Sequence, residues 1–262
     1  MKSFKNDPSL KKLHVEQAKK HYEQDMLIAG TYGETDTDVF RGCSVGCFAY
    51  EISGQTDDNP HKIVADDRGL PEWLIHLQDR IFEGLPLEDR KKWHVQLAEA
   101  IPVGIDLEPV RHKLAIMRMD KLIALQQRNI GASNIVQQTI DVLDIVRQCH
   151  EAELSKDSCN WAAAVVAADW AESAAWAAEA AWSAESAASQ SARSAAWSAA
   201  RSAESAAAES AAAAAESAAE SAAAAAWASA SASSRSESAA AAALAWYRQE
   251  RDDLLSILRS EK

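Results

Sequence analysis

The sequence predicts a mainly α protein, a helical globular N-terminal domain with an irregular loop region, followed by long Ala/Ser-rich packed helices. Three observations carry this. Apolar residues recur at three- and four-residue steps between capping residues in the first 155 positions. From Trp161 to Ala245 the chain holds 45 Ala and 18 Ser in 85 residues. No Gly lies beyond Gly131 and no Pro beyond Pro109, so nothing in that stretch is built to break a helix.

The first helix is punctuated by Asp7 as cap, Pro8 at the first helical position and Gly30 as its close. Its apolar stripe reads Leu10, Leu13, Ala18, Tyr22, Met26 and Ala29. His14, His21 and Asp25, at seven- and four-residue steps, read as a solvated polar face. Residues 31–69 are irregular, rich in Asp, Thr and Gly, with room for a short strand or a functional loop. Pro71 then starts a helix through Trp73, Leu74, Leu77 and Ile81, which Gly84 stops. Pro86 begins another, with Trp93, Leu97 and Ala100, ending before Pro102. Asp106 caps a third, over 107–129. Ser133 caps a fourth, carrying Val136, Ile140, Leu143, Val146 and Cys149.

The composition shift near residue 156 divides the chain into a globular domain, 1–155, and an Ala/Ser-rich helical region, 156–262. Alanine burial yields only about 0.8 kcal/mol per methyl, against roughly 1.5–3 for Leu, Ile or Phe. A conventional core must therefore come from the first part and from the Leu244–Leu258 stretch. Within the tract, Arg193, Trp197, Arg201 and Glu204 fall on one helical arc and Glu209, Glu216, Glu220 and Trp227 on another. Two or three long helices follow, with turns at Ser186–Ser194 and Ser229–Ser238 and a last helix from Ser238 to about Arg259. The tract's Trp residues, 161, 170, 176, 182, 197 and 227, read chiefly as packing wedges between Ala-faced helices.

The formal charge of −12 argues against nucleic-acid binding, which needs clustered Lys and Arg. The start, Met-Lys-Ser-Phe-Lys-Asn-Asp-Pro, has no apolar leader. The longest uncharged run of the tract, Ser221 to Ser234, has 14 residues, too short and too polar for a membrane span. The expected location is cytoplasmic. Four cysteines, at 43, 47, 149 and 159, do not make a disulfide scaffold.

Gly42-Cys43-Ser44-Val45-Gly46 fits G-x-S-x-G, but the preceding Thr37–Arg41 reads poorly as a buried parallel strand. A tight Gly-rich turn is the plainer reading. Cys43 and Cys47 are one helical turn apart. Buried structural thiols are the favoured reading; a zinc site with His61 as the nearest further ligand is the alternative. Glu34, Asp36 and Asp38 alternate like a calcium loop, yet Val39 and Val45 stand where such a loop needs Gly and Glu.

Three blocks carry a resemblance: Gly42-Cys43-Ser44-Val45-Gly46-Cys47, Ile81-Phe82-Glu83-Gly84-Leu85-Pro86, and Ala100-Ile101-Pro102-Val103-Gly104 leading to Asp106-Leu107-Glu108-Pro109-Val110. With the Ser-Ala-Ala-Trp and Ser-Ala-Ala-Arg phrasing of the tail, the chain resembles a group of uncharacterised bacteriophage and bacterial proteins. The resemblance covers most of the chain and implies a phage or mobile-element origin, hence a bacterial host cytoplasm. It supplies no site.

The expected function is a non-enzymatic protein-interaction or structural protein, presenting its Ala/Ser-rich helical surface to a protein partner or to copies of itself, with no nucleic-acid or membrane partner. The balance is against an enzyme, with no catalytic residue and no cofactor assigned. The alternative is a small-molecule- or metal-dependent activity centred on the Cys43/Cys47 loop, with zinc held by Cys43, Cys47 and His61.

Overall fold

A computed structural model of the chain describes residues 1–36, 39–54, 59–128, 134–168 and 236–261. The protein is mainly α. A short 3-10 turn, Ser3–Asn6, precedes α1 (Pro8–Glu23); β1 (Glu34–Asp36) and β2 (Val39–Arg41) follow. Then come α2 (Ser44–Ser53), α3 (Pro60–Arg68), α4 (Glu72–Gly84), α5 (Leu87–Ala100), α6 (Glu108–Gln127) and α7 (Asn134–Ser155). A helical segment occupies 161–168, and the last helix, here α8, is Ser236–Ser260. No described helix is long and apolar enough to cross a membrane.

Two compact units result, Met1–Val110 with Arg251–Lys262, and Arg111–Glu250. The unit boundaries fall within α6 and α8.

In the first unit α1 packs on α5, and α2, α3 and α4 pack on one another. Phe4, Phe48, Trp73, Phe82 and Trp93 are completely or almost completely buried, as are Leu254 and Leu258 from α8. Asp7 caps α1 as expected, its carboxylate accepting the Ser9 amide at 2.8 Å. The helix ends at Glu23 and not at Gly30, because Asp25 turns left-handed (φ 53°). Met26 to Ile28 then run extended beside Gly42: Ile28 N–H donates to Gly42 O and Gly42 N–H to Met26 O. Lys11 reaches across to the carbonyls of Glu99 and Ile101, satisfying the end of α5.

The buried face of α1 is His14, Ala18 and His21, while Leu13 and Tyr22 are more than 40% exposed. Of the expected apolar stripe Leu13 and Tyr22 point outward while Ala18 and Met26 are buried, and the histidines of the expected solvated face point in. The histidines gain what leucines there would not, aromatic and hydrogen-bonding partners in the core. Asp25 alone of that set is exposed, paired with Lys91 and Arg41.

The region 31–69 is more ordered than expected. β1 and β2 pair antiparallel, with Glu34 opposite Arg41. Gly54 (φ 73°) closes α2 in the left-handed conformation. Asn59 caps α3 by accepting the Lys62 amide, Pro60 takes the first position and Gly69 closes it.

The core of the second unit joins Met119 and Leu122 of α6, Val142, Leu143, Val146 and Cys149 of α7, and Ala164 and Ala168. Trp161 and Trp246 pack against it half-buried. Arg118, buried on α6, pairs with Glu250, whose other oxygen accepts the Trp246 indole N–H at 3.2 Å. Cys149 and Cys159 form a disulfide, Cα atoms 5.2 Å apart. Their pairing follows from the chain reversal between α7 and 161–168, which spacing alone does not reveal. Residues 236–238, read as part of a turn, begin α8. The expected helices and turn between 169 and 235, with Trp170, Trp176, Trp182, Trp197 and Trp227, lie outside the described residues.

Candidate functional site

Two clusters flank the start of α2. Its position is fixed by glycine: a Cβ on Gly46 would stand 1.6 Å from the Tyr32 carbonyl oxygen, and one on Gly42 at 2.4 Å from the same atom. The G-x-x-x-G spacing thus lets the backbone just before α2 and in its first turn press on residues 31–33. This accounts for both glycines of the G-x-S-x-G match without catalysis.

The first cluster is a buried polar chain. Gln78 Nε2 donates to Ser44 Oγ at 2.6 Å, and Ser44 Oγ lies 2.8 Å from His94 Nδ1. His94 Nε2 lies 3.0 Å from His21 Nδ1, and His21 Nε2 faces Glu51 Oε1 at 3.5 Å. Glu51 in turn accepts from Lys20 at 2.6 Å. One proton assignment satisfies the buried links. Ser44 accepts from Gln78 and gives its hydroxyl proton to His94 Nδ1; His94 then carries its proton on Nε2 and donates to His21. His21 is left with its own proton on Nε2, toward Glu51. The 3.5 Å separation there is long for a hydrogen bond, and the contact is electrostatic.

Phe48 sits inside the histidines. Its ring stacks on His14 at 4.0 Å and on His94 at 4.7 Å and meets His21 edge-on at 5.1 Å. Burial drives the pKa of His14 and His94 well below the usual value and that of His21 down to about 4, so all three are neutral at pH 7. The chain's seven histidines are all partly or wholly enclosed, six of them buried.

Ser44 has the elements of a relay beside it: strand β2, a turn, a helix start, an imidazole and a carboxylate at the far end. Yet Ser44, His94 and His21 have no exposed surface, and the hydroxyl already has both partners. Nor is Ser44 among the positive-φ residues, as a strained nucleophile turn would require.

The second cluster lies on the other side of Cys43. The Cys43 sulfur and a carboxylate oxygen from each of Asp79 and Glu83 all fall within 4.8 Å of one another. His61 Nε2 lies 3.3 Å from Asp79 Oδ2 and stacks on His76 at 3.9 Å. Both Glu83 oxygens accept the Gly30 amide, at 3.1 and 3.0 Å. Burial, then the neighbouring Asp79, pushes the Cys43 thiol well above its usual range; burial also raises Glu83. Cys47 is not in this group. Its thiol points to the carbonyls of Met26 and Gly42, at 3.6 and 3.5 Å, and burial lifts its pKa to about 12. Of the residues the sequence offered as ligands, Cys43 and His61 converge, through Asp79, and Cys47 turns away.

Asp79 and Glu83 were not anticipated. Their four-residue spacing on α4 places both on one face, but nothing local says that this face meets Cys43. No protein family, curated protein or solved structure matches the chain.

Proposed function

We propose that this is a non-enzymatic interaction or structural protein, of phage or mobile-element origin and acting in the cytoplasm of a bacterial host. Its Ala/Ser-rich helical region meets a protein partner or further copies of the chain. The observation that carries the reading is the composition of 161–245, in which 45 Ala and 18 Ser leave only nine acids and three Arg to do chemistry. Such side chains offer shape and close approach. Tryptophan, set singly into them, is the residue type most often found as a contact anchor. The enclosure of Ser44 supports the same view, since a hydroxyl with no exposed surface and two hydrogen-bond partners is built as part of a core.

Sedimentation velocity of the full chain over a range of concentrations, alone and as the Trp197→Ala/Trp227→Ala variant, tests this. The expected result is a species heavier than the 28.4 kDa chain that the double variant returns to monomer. A strict monomer at every concentration would remove the self-association form of the proposal.

A further inference from the structure

We propose that Cys43, Asp79 and Glu83 form a binding site for one divalent transition-metal ion of zinc-like preference, with His61 holding Asp79 in place. The site is independent of the contact function proposed above.

The donor set is one sulfur and two carboxylates, their ligand atoms mutually within 4.8 Å. Zinc bonds of about 2.3 Å to sulfur and 2.0–2.2 Å to oxygen place tetrahedral ligand atoms roughly 3.5 Å apart. A small inward closure of three side chains reaches that spacing. A thiolate among the donors selects zinc, or cobalt in its stead, over magnesium or calcium.

A second observation points to a ligand. Asp79 is 9% exposed, its Oδ1 is buried with no nitrogen or oxygen donor, and the Cys43 thiol hydrogen-bonds the carboxylate. An acceptor oxygen so placed is costly unless something positive meets it. Its other oxygen faces His61, and a carboxylate that ligates metal is commonly held by such an outer hydrogen bond. Glu83 is likewise held from behind by the Gly30 amide. Three anionic groups enclosed together repel one another when ionised, and the thiol keeps its proton instead. A divalent ion takes that proton's place, releasing it to solvent, and balances the two carboxylates.

The test is cobalt and zinc titration of the chelator-treated full chain without reductant, so that Cys149 and Cys159 stay bonded. Wild-type protein should bind about one Co2+ with a thiolate-to-cobalt charge-transfer band, and zinc should displace it. Cys43→Ser should lose the band. Glu83→Gln, whose amide oxygen can still accept from Gly30 and so should preserve the fold, should weaken binding more than tenfold. Cys47→Ser should leave band and affinity unchanged. No band in the wild type, a band that survives Cys43→Ser, or unchanged affinity in Glu83→Gln would each overturn the proposal.

Discussion

His94 Nε2 lies 3.0 Å from His21 Nδ1, so two fully buried imidazoles are joined by one hydrogen bond in the middle of the first unit. The arrangement works only while both rings are neutral. A proton on His21 Nδ1 would set two donors against each other and place charge beside Phe48.

Acid should therefore unfold the protein above the carboxylate range. Unfolded histidine titrates near 6.5, whereas His21 is held down to about 4 and His14 and His94 lower than usual. Above about pH 6.5 both folded and unfolded rings are neutral and stability is flat. As the pH falls below that, the unfolded chain takes up protons that the folded chain refuses, and stability is lost down to about pH 4. His21 alone should contribute a loss on the order of 2 kcal/mol at pH 5. Urea unfolding midpoints between pH 7 and 4.5 measure it. An unchanged midpoint from pH 7 to pH 5 would refute the neutral-histidine core.

Ser44→Ala should destabilise although it removes a single atom. The Gln78 amide and His94 Nδ1 would both lose their buried partner, at a cost of about 1–3 kcal/mol. Ser53→Ala, which removes the hydroxyl of an exposed residue bonded to the Ala49 carbonyl of its own helix, should cost less. Equal melting temperatures for Ser44→Ala and wild type would show that the chain of hydrogen bonds is not formed.

Gly46→Ala should be among the most damaging small substitutions. Its Cβ would meet the Tyr32 carbonyl at 1.6 Å, and this obstacle is backbone that cannot swing away. A loss above about 3 kcal/mol, or failure to fold, is expected. Gly42→Ala, at 2.4 Å from the same oxygen, should be milder. Wild-type melting behaviour for Gly46→Ala would mean that residues 31–33 do not press on α2.

The disulfide gives a count. Without reductant, the denatured protein should titrate two thiols, Cys43 and Cys47, and after reduction four. Closing the ten-residue separation should be worth about 2–3 kcal/mol, read as a shift in the denaturation midpoint on reduction. Four thiols without reductant would remove the bond.

The helical class was legible because caps and periodicity are local: Asp7-Pro8 begins α1, and Pro71 and Pro86 precede α4 and α5. Asn59-Pro60 and Gly69 were equally clear signals for α3, obscured by the polar residues around them. The inward face of α1 was not legible. Hydrophobicity ranks Leu13 above His14, and only the presence of Phe48, Ser44 and His94 on other helices makes an imidazole the better core residue. The Cys43 cluster was half legible, since thiol and imidazole draw notice in any sequence. Asp79 and Glu83 on α4 look like ordinary helix-surface acids until the fold brings α2 beside them.

Ser44 belongs to a closed core, with no exposed surface and both hydrogen-bond partners inside the protein. The most direct test is the intact mass of the full chain after exposure to a serine-directed fluorophosphonate at neutral pH. The expected mass is unchanged. A stoichiometric adduct at Ser44, absent from Ser44→Ala, would contradict it and make the Ser44–His94–His21 chain a catalytic relay.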